Sequence, residues 1–179
     1  MTQPFGEPER RRFVADPEVL AALDLRVADL ADPDVRSFVI RHEHPELEDA
    51  LSDEIDEIDF GHGPINPRLH LAMHEIVATQ LWEGDPPEVW DTAARLRDEG
   101  YERHEILHML SRPMSDQIWA GRHDNERYDR ARHIAALRAL PGSWERERPA
   151  LSATHRHEVA RKQARRNARA ARRRNRRPK

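Results

Sequence analysis

Two histidine pairs, His70/His74 and His104/His108, are the residues of this chain best suited to chemistry. Imidazoles at i and i+4 of a helix project from one face, one turn apart, and can grip one metal ion together. The second pair lies in His104-Glu105-Ile106-Leu107-His108, an H-E-x-x-H pattern. In zinc hydrolases of that pattern the histidines hold the metal and the glutamate acts on metal-bound water. Such an enzyme needs a third protein ligand, which His70 or His74 could supply, an open position, and Glu105 as general base. If both histidines of the first pair join, four imidazoles close a tetrahedron and the centre binds metal without an obvious catalytic position. The competing reading is four interfacial histidines satisfied by carboxylates or backbone carbonyls.

The chain has no cysteine, which removes disulfides, thiolate metal sites and cysteine nucleophiles together. A divalent transition metal would have to be held by imidazole and carboxylate, with zinc the first expectation and iron, nickel and copper compatible. His62, in a Gly-flanked loop, is a weaker additional ligand. His42 and His44 stand beside Glu43 and Glu46 at a helix break and read as capping or surface groups. Glu75 is about 100° around a helix from His74, which makes it a poor ligand for the same ion.

Helices must position these groups. Asn66-Pro67 is the best helix start in the chain, a side-chain cap followed by proline at the first helical position, and the spacing predicts a helix to about Trp82. Leu69, Met73, Ile76 and Val77 form its apolar arc, with both histidines on the edge. Asp85-Pro86-Pro87 opens a second helix ending at Gly100. A third begins near Glu102 and runs through Leu110, with Ile106, Leu107 and Leu110 as its arc. Pro113 kinks or ends it, while Ile118 and Trp119 continue the apolar pattern. Short connections imply antiparallel succession, which would make the two histidine helices parallel. Upstream, Asp16-Pro17 opens a helix to about Leu30, and Asp32-Pro33 opens another that His44-Pro45 breaks. A short helix follows from about Glu46 to Leu51, then an acidic connector from Asp53 to Asp59. A last helix is expected from about Asp124 to Leu140, with Tyr128, Ala131, Ile134, Ala135 and Leu137 as its stripe.

The segment Asn66-Pro67-Arg68-Leu69-His70-x-x-x-His74, followed by His104-Glu105-x-x-His108 and Ile118-Trp119, resembles an uncharacterised family of small helical bacterial proteins, a domain of unknown function. Its members share an N-P-x-L-H-x-x-x-H segment and a later H-E-x-x-H segment that often ends near a tryptophan. The resemblance covers roughly Ile65 to Tyr128. It implies a helical fold and a metal site, and brings no activity with it. Pro113 and the long arginine tail depart from the pattern.

Composition fits an all-α, compact multi-helix bundle. Hydrophobic residues make up 37% and charged residues 35% of the 179, so the core is limited and the surface strongly solvated. No signal-like or membrane-spanning run is present in the sequence, which makes the cytoplasm the default location and a membrane partner unexpected. The formal charge of −3 conceals a basic tail of about +11 from Arg156 to Lys179, leaving about −14 elsewhere. Arg165, Arg166, Arg172, Arg173, Arg174, Arg176 and Arg177 could contact the phosphates of nucleic acid or the ribosome. Alternatively the tail is solvated, disordered or helical, or folds onto the acidic body. The expected organisation is a flexible N-terminus over 1–15, a helical domain over 16–141 holding the histidine site, and a linker with the arginine tail over 142–179.

Overall fold

The computed structural model describes residues 7–59 and 64–147, and the fold is all-α. The chain divides into two units, Met1–Pro141 and Gly142–Lys179. The first contains helices α1 (Glu7–Phe13), α2 (Pro17–Ala22), α3 (Pro33–Glu43), α4 (Glu48–Ser52), α5 (Pro67–Glu83), α6 (Pro87–Asp98), α7 (Arg103–His123) and α8 (Arg130–Arg138). Of the second, a short helix α9 (Gly142–Glu147) is described. None of the described helices is long and apolar enough to cross a membrane.

Helix α5 is the centre of the assembly and packs against α3, α6 and α7, while α8 lies on α6 and α7. The residues that make this possible are large aliphatics at helical spacing. Val77 and Leu81 of α5, Val89 and Leu96 of α6, and Ile106, Met109 and Leu110 of α7 are all at or close to complete burial. Each such side chain contributes about 1.5–3 kcal/mol through burial.

The start of α5 is held in two ways. Asn66 caps it by accepting from the Leu69 amide at 2.9 Å, and Asn66 Nδ2 donates to the Asp56 carbonyl at 2.8 Å. A two-residue antiparallel pairing of β1 (Ile58–Asp59) with β2 (Pro64–Ile65), Ile58 opposite Ile65, joins the acidic connector to this point. Its far end is closed by Gly84, whose φ of +74° supplies the left-handed cap that a side chain would strain.

Several elements differ from expectation. The helix opened by Asp16-Pro17 stops at Ala22 rather than Leu30, because Asp24 turns left-handed (φ +56°) and Asp29 accepts from the Arg26 amide at 2.7 Å to start a separate 3-10 turn over Val27–Ala31. Short acidic side chains bonding their own backbone compete with helix in this way. The last helix starts at Arg130, not Asp124. Gln117 grips both peptide groups of Asp129, donating to its carbonyl at 2.9 Å and accepting from its amide at 2.7 Å, and Asp129 then caps the Arg132 amide. Pro113 is buried and does not end α7, which runs for 21 residues. Residues 7–13 form α1, with an edge-on contact of Phe13 with Trp90 and a salt bridge from Glu9 to Arg97.

Candidate metal centre

Five histidines meet where α3, α5 and α7 converge. His44 follows the last residue of α3, His70 and His74 come from α5, and His104 and His108 from α7. Each offers one ring nitrogen, and these nitrogens all lie within 4.8 Å of one another. Ring centroids are 4.4 Å apart for His44 and His74, 4.9 Å for His44 and His104, and 5.1 Å for His70 and His108. Nitrogens about 2.1 Å from a metal stand about 3.4 Å apart in a tetrahedron and about 4.2 Å apart when opposite each other. The limit of 4.8 Å lies about 0.6 Å above the larger value, so the rings need to close in only slightly to share one ion.

His44, expected from the sequence as a capping or surface group, is buried at 1% exposure. Its Nδ1 lies 2.8 Å from the Ile40 carbonyl oxygen, which can only accept, so Nδ1 carries the ring proton. In the neutral ring Nε2 is then a bare lone pair, and that atom is buried without a hydrogen-bond partner. Nδ1 of His74, a residue 3% exposed, is buried without a partner as well. An unmatched buried polar atom costs about 1–3 kcal/mol. Two of them beside three more imidazoles form a donor set that fits a cation.

The electrostatics point the same way. Desolvation, with His44 nearby, pushes His70 down to about 4, and desolvation with His44 and Arg103 nearby does the same to His104. His74 is pushed down furthest, by burial first and then by the other four rings. Neutral imidazole is the form that binds metal.

A part-buried ion pair braces the cluster. Glu43, directly before His44, and Arg103, directly before His104, meet at 3.0 Å, with the Glu43 side chain 4% exposed. Arg103 also donates to the Phe13 and Val14 carbonyls at 2.9 and 2.6 Å, and the second Glu43 oxygen accepts from the Asp16 amide. One bridge thus joins the end of α3, the start of α7 and the N-terminal segment, one residue from two of the imidazoles.

All four histidines expected from the sequence are brought together, and His44 was missed. The signal for it was present: Ile40, His44 and Leu47 continue one apolar stripe at i, i+4 and i+7 through the break at Pro45. His42 is exposed and faces the Phe38 carbonyl, as a surface group would. His74 sits in the core rather than at the edge of the arc, while Leu69, placed in the arc, is 48% exposed, and Trp119 is 58% exposed. The carboxylates of Glu105 and Glu75 are not among the converging groups. His62 and the tail arginines Arg165, Arg166, Arg172, Arg173, Arg174, Arg176 and Arg177 lie outside the described residues.

No curated protein and no solved structure matches the chain. A family model described as a domain of unknown function (DUF1841) matches residues 25–139, a span that contains all five histidines. The chain belongs to that family.

Proposed function

We propose that this protein binds one divalent transition metal ion through His44, His70, His74, His104 and His108. The observation that carries the reading is the buried, unpartnered Nε2 of His44, whose ring is oriented by the Ile40 carbonyl within a cluster of four other imidazoles. A carbonyl that fixes the tautomer of a ligating histidine is the usual outer support of such a centre. Zinc was the expectation on a count of four imidazoles; the fifth supports ions that accept five or six nitrogen ligands equally well, such as iron, cobalt and nickel.

Metal analysis of the full chain purified without an affinity tag tests this reading. It should find up to one ion per chain, and apo-protein should take up one equivalent of zinc or cobalt. Absence of uptake, with no thermal stabilisation by either ion, would reject it.

Hydrolysis with Glu105 as general base is a second reading, favoured by the position of Glu105 one residue after a member of the cluster. It has less support, since it calls for three ligands and a carboxylate close to the metal-bound water. Glu105→Gln should leave metal content intact and abolish any hydrolytic rate; a rate unchanged in that variant would sink the enzyme reading.

A further inference from the structure

We infer that the centre, resting on the metal reading above, takes a small exogenous anion as a further ligand on its His104 side. Three observations converge on this.

The first is the donor count. Five ring nitrogens within 4.8 Å of one another are more than a tetrahedral ion accepts, and a five-nitrogen set is one short of an octahedron. His44 is not a spare ring, because its Nε2 has no hydrogen-bond partner to justify its burial there.

The second is charge. All five converging groups are imidazoles, and no carboxylate joins them among the described residues. A divalent ion held by neutral ligands keeps its whole double positive charge, which in a partly buried site attracts an anion strongly. The nearest acid along the chain from His44, Glu43, is engaged by Arg103 and the Asp16 amide, and Asp16 itself caps α2 through the Glu18 amide at 2.8 Å.

The third is access. His44 and His74 are buried, His70 and His108 are partly exposed, and His104 is exposed. Solvent therefore reaches the cluster most openly at His104, with His70 and His108 partly open beside it. A small monoanion that donates one lone pair fits this combination of count, charge and access; no bond other than the coordinate bond need form.

The test uses the full chain loaded with cobalt(II) and titrated with azide, following the visible absorption of the metal. The expected result is the weak absorption of five- or six-coordinate cobalt, shifting to saturation with one azide per cobalt. The intense absorption of tetrahedral cobalt, or bound cobalt whose spectrum does not move with azide, would overturn the anion inference and leave the metal reading standing. Failure to bind cobalt, zinc or iron(II) at all would overturn both.

Discussion

At the scale of single residues, the proposed centre depends on the buried lone pairs of His44 and His74. His44→Ala and His74→Ala each remove a buried donor, so each should weaken metal binding by at least about 10-fold in a titration, the size of loss expected even for groups that only support a ligand. Affinity unchanged in either variant would mean that the remaining four rings suffice without it. The same burial makes the metal-free protein sensitive to acid. His70 and His104 titrate near 4 in the folded chain against an ordinary value of 6.5. Above 6.5 neither state is protonated at these rings. Below it the unfolded chain takes up protons that the folded chain refuses until about 4, so stability that is complete above about 6.5 is lost as pH falls toward 4. The denaturation midpoint of apo-protein should drop between about pH 7 and pH 5, and a flat profile over that window would contradict the depressed values.

At the scale of elements, the question is what holds three helix ends in register around the cluster. The Glu43–Arg103 bridge joins two of them, and removing one partner leaves a buried charge unmatched, at a cost of about 3 kcal/mol. Arg103→Met should therefore lower both stability and metal affinity, the latter by about 10–100-fold, as expected of a group that orients ligands without touching the ion. Affinity unchanged in the presence of lost stability would reduce the bridge to a fold contact. Asn66 is the corresponding support for α5, and Asn66→Ala should cost about 1 kcal/mol in chemical denaturation.

These elements also show where sequence reasoning reached and where it stopped. Helix α5 and the positions of His70 and His74 could be read from Asn66-Pro67 and the i, i+4 spacing, because cap, proline and periodicity are local signals. The convergence of α7 on α5 followed from short connections and apolar arcs. The role of His44 was not legible in the same way: its partners stand 26 and more residues away, and a histidine before proline at a helix end has an ordinary local explanation as a cap. The late start of α8 escaped for a similar reason, since it is set by Gln117 reaching Asp129 across a turn.

At the scale of the whole molecule, a modest core meets a centre that joins three helices distant in sequence. A ligand that binds only the folded state adds stability by mass action, about 2.7 kcal/mol at 100 times its Kd, which corresponds to a rise in Tm of about 10 °C for a domain of this size. Removing metal with a chelator should reverse that rise, and no Tm difference between loaded and stripped protein would argue against a metal that staples the fold. The central claim, that five histidines share one ion, is tested most directly by anomalous scattering from crystals of the cobalt-loaded protein. One anomalous peak should lie about 2.1 Å from nitrogens of His44, His70, His74, His104 and His108. A peak elsewhere on the molecule, or none among these rings, would contradict it.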